Sequence, residues 1–186
     1  MSVLLFCQKV ILSYFTGRDL IKIASAAALW AVLNIFISPI FWQLTRLPFI
    51  CDLLAFASLT LVLWLTRKVG SASLTGLVVT ALTLILQPAA FQMVGFIAAS
   101  ILFDALIRGI GYDNCFGKPL FGSLALILSS VLCAGVAGAI IGSFVMGFKT
   151  TSMILFFSGL HSIGGLIGGL VGVIVIRALI ARKAFH

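Results

Sequence analysis

The sequence predicts an all-helical membrane protein of six transmembrane helices, with its N- and C-termini in the cytoplasm. Three observations lead there. Of the 186 residues, 62% are apolar and 9% are charged, against about 25% charged in an ordinary soluble domain. Mean hydropathy is +1.30, and the apolar residues run in stretches near the ~20 residues that one bilayer crossing requires. The bases, finally, are segregated along the chain in a way that assigns alternating connections to opposite sides. A chain this short has room for at most six or seven such crossings and none for a separate catalytic domain.

Residues 1–17 mix Leu4, Leu5, Phe6, Val10 and Ile11 with Gln8, Lys9 and Ser13. The apolar run before Lys9 is too short to span. With no basic segment ahead of it and no small-residue cleavage site behind, it reads as an N-terminal interfacial segment rather than a signal peptide. Residues 18–186 form the membrane domain, with spans expected at 20–41, 49–66, 69–87, 89–108, 119–147 and 151–180. Pro48, Pro88 and Pro119 fall at the starts of the second, fourth and fifth spans, where a missing N–H costs a helix nothing. Pro39 falls in the last turn of the first span, where a kink or an early end is expected.

The net charge of +8 combines six Lys, six Arg and four Asp, with no Glu. With six crossings, ten of the twelve bases share one side and only Arg46 and Lys149 lie on the other. That asymmetry places both termini inside and makes nucleic acid an unneeded explanation for the charge. It also directs the 1–2, 3–4 and 5–6 connections outward.

Those outer connections gather most of the remaining polar side chains. Trp42, Gln43 and Arg46 follow the first span, Gln87 and Gln92 flank Pro88, and Lys149 precedes the sixth span, with Asn34 in the outer half of the first. His161 lies ~15 Å into the sixth span at 1.5 Å per residue. An aromatic wall, amides and a histidine in an apolar surround suit a small-solute site, and these eight residues are the candidate substrate-binding set. The two cations favour a neutral or anionic solute. Asp104 is four residues before Arg108, so a helical ion pair is expected there. Asp52 is expected just inside the second span, near Arg46 in depth.

Small residues form two patterns. In the first span, Ala24, Ala27, Ala28 and Ala31 give small-xxx-small spacings that admit a second helix closely, either within the bundle or from a partner subunit. In the sixth, Gly164, Gly165, Gly168, Gly169 and Gly172 line two adjacent faces, which reads first as internal packing. There is no GxxxxGK[ST], HExxH or GxSxG motif, and Cys7, Cys51, Cys115 and Cys133 are scattered without a CxxC pair. Neither a resident metal nor a cofactor is expected, and an enzyme is disfavoured.

Six spans in under 200 residues, termini inside and an alanine stripe in the first span together resemble the substrate-binding S component of energy-coupling-factor (ECF) transporters, the vitamin-uptake members of the ABC class. The string Ala24-Ser25-Ala26-Ala27-Ala28 looks like that family's AxxxA docking motif, carried by Ala24 and Ala28 or by Ala27 and Ala31. The stretch from Val94 to Asp104 and the run from His161 to Gly169 are similar to segments of its members. The resemblance implies a subunit that captures a vitamin or related small solute outside. A transmembrane T component and two cytosolic ATPases would power its movement, and the S component would topple in the membrane to deliver its cargo. The residues alone also leave open a structural or assembly protein without a small-molecule site, and a stand-alone secondary transporter.

Overall fold

The computed structural model describes residues 14–182. Residues 1–13, most of the segment expected to lie at the membrane interface, are outside that range, as are 183–186. The described chain is helical throughout: α1 (Gly17–Thr45), α2 (Phe49–Thr66), α3 (Ser71–Leu86), α4 (Met93–Ile110), α5 (Tyr112–Gly117), α6 (Pro119–Ile140), a π-helical extension of α6 (Ile141–Val145) and α7 (Thr151–Ala181). Five helices, the last two of them α6 with its extension and α7, are long and apolar enough to cross a membrane. α3 is apolar but spans only 16 residues, roughly 24 Å at 1.5 Å per residue, short of the ~30 Å hydrocarbon core. The chain is a multi-pass helical membrane protein.

Helix boundaries follow local chemistry. Thr16 and Asp19 form a capping box at the start of α1: the Asp19 carboxylate accepts from the Thr16 N–H at 3.1 Å and the Thr16 hydroxyl accepts from the Asp19 N–H at 3.4 Å. Such reciprocal bonds satisfy N–H groups that no helical carbonyl can reach. Lys68, in the α2–α3 connection, fastens this corner by donating to Asp19 Oδ2 at 2.8 Å and to the Tyr14 carbonyl at 2.9 Å. α1 and α2 end on Arg46 and Arg67, whose φ of 59° and 48° are left-handed, a geometry that helix C-termini usually assign to glycine.

The prolines sort differently from expectation at two points. Pro48 and Pro119 do occupy helix starts, but α4 begins at Met93, so Pro88 lies in the turn before it. α1 runs through Pro39 without ending. A proline at that position removes the N–H that the Ile35 carbonyl would accept, and Gln87 from the α3–α4 connection donates its side-chain amide to that carbonyl at 3.4 Å.

The six long helices close into a ring in the order α1, α2, α7, α6, α4, α3 and back to α1. Inside it, Trp30 meets Phe96 edge-on at 6.0 Å and Phe56 meets Phe103 at 5.8 Å, and Leu59, Leu63 and Met93 complete an apolar centre. Large apolar side chains such as Phe36, Leu44, Ile85 and Phe156 point outward, as a lipid-facing surface requires. Buried hydroxyls turn back on their own helices: Thr60, Ser100 and Ser130 donate to the carbonyls of Phe56, Phe96 and Leu126. Each of these three hydroxyls thereby keeps a partner away from water.

Asp104 overturns the ion pair expected with Arg108. Arg108 is exposed, whereas the Asp104 carboxylate, buried, accepts from the Ser73 N–H at 2.7 Å and the Ser73 hydroxyl at 2.6 Å. The N-cap of α3 is Gly70, which has no side chain to offer. The carboxylate therefore caps α3 from a neighbouring helix, at the end where the helix dipole favours negative charge.

The glycine faces of α7 are internal contacts, as read from the sequence. Gly164, Gly168 and Gly172 lie against Asp52, Leu53 and Thr60 of α2, while Gly165 and Gly169 lie against Ser130 and Ala134 of α6. A β-carbon at Gly168 would come within 2.8 Å of the Asp52 carbonyl oxygen and 3.0 Å of Leu53 Cα. Because backbone rather than a mobile side chain stands there, the helices must separate to admit one. Gly168→Ile is expected to destabilise the protein by about 1–3 kcal/mol. Gly159→Ala, where nothing lies within 4 Å of the added carbon, is expected to be neutral or to stabilise by up to ~1 kcal/mol. Thermal unfolding in lipid nanodiscs checks the contrast.

Candidate functional site

A partly enclosed cavity of about 280 Å³ opens among the C-terminal half of α1, the start of α2, the α3–α4 connection, the start of α4, the π segment and the N-terminal half of α7. Successive helices run in opposite directions, so these parts all lie at one end of the ring. Of the ten described Lys and Arg residues, eight lie at the other end; Arg46 and Lys149 are the two that share the cavity's end.

Five of the eight expected binding residues line this cavity: Asn34, Trp42, Gln87, Gln92 and His161. Asn34 is held on both sides of its amide, donating toward Met93 Sδ at 3.4 Å and accepting from the Ser38 hydroxyl at 2.8 Å. Gln87, which donates to the carbonyl freed by Pro39, also lines the cavity. The remaining three do not line it. Gln43 follows Trp42 on α1 and projects about 100° away around the helix; Arg46 sits on the left-handed turn that ends α1; Lys149 follows the positive-φ turn at Gly147. All three are exposed. With both cations outside the lining, the charge argument for an anionic solute loses its footing.

The floor contains a pair that sequence reading missed. His161 Nδ1 lies 2.9 Å from Asp52 Oδ1, with the two side chains 3% and 0% exposed. Asp52 is in the first turn of α2 while His161 lies three turns into α7, so counting residues from each helix start puts them at different depths. They meet because α7 extends well beyond the start of α2, and because Gly164 leaves Asp52 space that any side chain would fill. His161 is wedged further by Gly138 of α6, where an added β-carbon would fall 2.8 Å from its Cβ and Cδ2. Phe157, one helical turn before His161, packs edge-on against its ring at 4.8 Å, and Phe96 closes from α4 at 6.3 Å. The i, i+4 spacing of Phe157 and His161 is the sequence signal that could have drawn Phe157 into the candidate set.

The π segment also serves the cavity. Its wider turn, closed by Met146 N–H to the Ile141 carbonyl at 2.8 Å, contributes Ile141 and Met146 to the lining. Such insertions recur where a helix must re-aim side chains toward a site.

The alanines of α1 separate into two pairs. Ala27 and Ala31 are 0% and 2% exposed, packed inside the ring, while Ala24 and Ala28 are exposed. The inner pair is therefore corrected from docking surface to core, since a helix offers a residue to one face only. Among the described residues no group of three or more His, Cys, Asp or Glu side chains is arranged to hold a metal ion. Comparison with family models, curated proteins and solved structures finds no match to this chain.

The buried pair generates a prediction about coupling. Asp52→Leu alone leaves His161 without its partner in an apolar floor, and a cost of about 3–5 kcal/mol is expected. Asp52→Leu combined with His161→Phe removes both polar groups and should recover most of that loss. A double-mutant cycle on unfolding free energy reads the difference directly.

Proposed function

We propose that this chain is the solute-capturing membrane subunit of an ATP-driven importer of the ECF type, binding a vitamin or related small solute near the outer face of the cell membrane. The observation that carries the reading is the cavity itself, with aromatic walls, amide groups and a buried histidine, at the end of the bundle that is poor in bases. Under the positive-inside rule that end faces outward, both termini are cytoplasmic, and the short α3 completes six crossings with modest local thinning of the bilayer. Capture at the outer face is the first step that an importer needs.

Movement would come from partners. The chain carries no nucleotide-binding motif, and the exposed Ala24–Ala28 face near the cytoplasmic end of α1 would receive the T component, which two cytosolic ATPases drive. Small residues there allow a partner helix to approach closely, where packing replaces a hydrophobic driving force. On this reading the chain performs no catalysis of its own.

Ala24→Trp or Ala28→Trp is expected to leave solute binding intact while abolishing co-purification with the T component and ATPases. Ala27→Trp, placed in the core, is expected instead to unfold the protein. Normal assembly of the two exposed-face variants would refute the docking assignment. Mass spectrometry of small molecules retained by the purified chain tests capture directly, and a chain that reproducibly retains none would favour a purely structural role.

A further inference from the structure

Resting on the solute-capture reading, we infer that the cavity takes an uncharged heterocycle of one or two rings with a lactam-like edge, a hydrogen-bond donor beside an acceptor, which the amides along one side of the cavity recognise. The sidedness follows from the order of the helices. α1 lies between α2 and α3, and α6 stands across the ring from it. Asn34, Ser38 and Trp42 recur every fourth residue on α1 and so share one face. Gln87 and Gln92 come from the α3–α4 connection, which Gln87 ties to α1 through the Ile35 carbonyl. Across the ring, Ile141 and Met146 of the π segment and Phe157 of α7 make the lining apolar. Asn34, Ser38, Gln87 and Gln92 thus form a polar, uncharged side that faces an apolar wall.

Charge narrows the class of solute. The cavity lining contains no Lys, Arg, Asp or Glu. His161, the polar exception on the α7 side, is 3% exposed and engaged at 2.9 Å by Asp52, which lies outside the lining and is itself fully buried. A charged solute would leave water without meeting a counter-ion, and burying an unpaired charge in an apolar surround is costly. An uncharged solute avoids that penalty.

The polar side supplies the recognition. Asn34 and Ser38 are nearly fully buried and bond each other at 2.8 Å, which stiffens it. Gln87 and Gln92 are half-buried. Gln87 uses one N–H on the Ile35 carbonyl. The Gln92 side chain makes no hydrogen bond among the described residues, although it stands at the N-cap of α4. A carboxamide holds an acceptor and two donors in one plane, and a lactam or ureide edge matches that arrangement with both a donor and an acceptor. A lone carbonyl would use only half of it, and a hydrocarbon edge none.

Shape and size complete the description. Trp42 and Phe157 present aromatic surface to the cavity, which suits a flat ring that stacks or meets them edge-on. At about 280 Å³ the cavity lies just under the ~300 Å³ at which pockets for drug-sized ligands begin, so the ring system is a monocycle or a compact bicycle.

The test uses the full chain in lipid nanodiscs and four probes of similar shape. 2-Quinolone presents a lactam edge, and 1-methyl-2-quinolone keeps the carbonyl but lacks the donor. Quinoline-2-carboxylate and the 1-methylquinolinium cation carry charge. Binding is read by titration against empty nanodiscs, alongside mass spectrometry of the solute the chain retains. 2-Quinolone is expected to bind, and the other three to bind about tenfold more weakly or worse. Gln92→Met keeps the length of the side chain without its amide. It is expected to lower 2-quinolone affinity about tenfold, toward that of the N-methyl analogue, with an unchanged unfolding temperature because Gln92 bonds nothing within the described chain. Gln43→Met, exposed and outside the lining, is expected to leave both affinities as they are. If no probe binds, a retained solute that is an uncharged ring with a donor–acceptor edge still supports the inference. A charged or N-methyl probe binding as tightly as 2-quinolone, or a retained solute of any other chemistry, would overturn it while solute capture stands. So would a folded Gln92→Met protein with undiminished affinity, or an equal loss in Gln43→Met. A chain that binds no probe and retains no solute overturns both.

Discussion

The contact between Asp52 and His161 depends on a helix that can come close enough to make it, and much of the ring is arranged around that requirement. A carboxylate buried completely in an apolar bundle needs a partner on the same level, and a single histidine from α7 supplies it at 2.9 Å. The approach is possible because α7 presents glycine at Gly164 and Gly168, against the Asp52 side chain and backbone. Gly138 does the same for the imidazole from the α6 side. Three helices thus converge on one polar pair, and the cavity lies on the side of that pair that no helix fills.

The same economy governs other polar groups in the ring. Pro39 deprives a carbonyl of its partner, and Gln87 from another connection supplies one. α3 begins at a glycine without a capping side chain, and Asp104 reaches across from α4 to cap it. In water these vacancies would be hydrated at little cost; inside a membrane each must be met by protein. Such cross-helix bonds also fix relative positions, so the lining of the cavity is held by the backbone satisfaction of the helices around it. Gln87 belongs to both arrangements, bonding the freed carbonyl and lining the cavity.

Much of this was legible from residue order. Long apolar stretches located the helices, Pro48 and Pro119 marked two starts, and the doubled glycine pattern of α7 announced close packing on two faces. Five of the candidate binding residues converge because the connections at one end of an antiparallel bundle, and the helix segments beside them, lie together. What escaped were features set by rotation and stagger. Gln43 adjoins Trp42 in sequence but faces another direction, and Arg46 and Lys149 sit at or just after positive-φ turns with their side chains exposed. The pairing of Asp104 with Ser73 rather than Arg108 depends on which helix happens to offer bare N–H groups at the right height. The offset between α2 and α7 hid the Asp52–His161 pair from residue counting.

Composition and residue order alone therefore settle that this chain is helical, membrane-embedded and unequal in charge at its two ends. Those properties are additive over short segments: hydropathy sums along a helix, and each base labels the connection it sits in. The closed order of the helices, the division of the α1 alanines into an exposed pair and a core pair, and the neutral, aromatic-walled cavity with its histidine were decided only in three dimensions. Each of these depends on the rotation of one helix against another and on where glycine lets two backbones meet, and neither quantity is a property of any single segment.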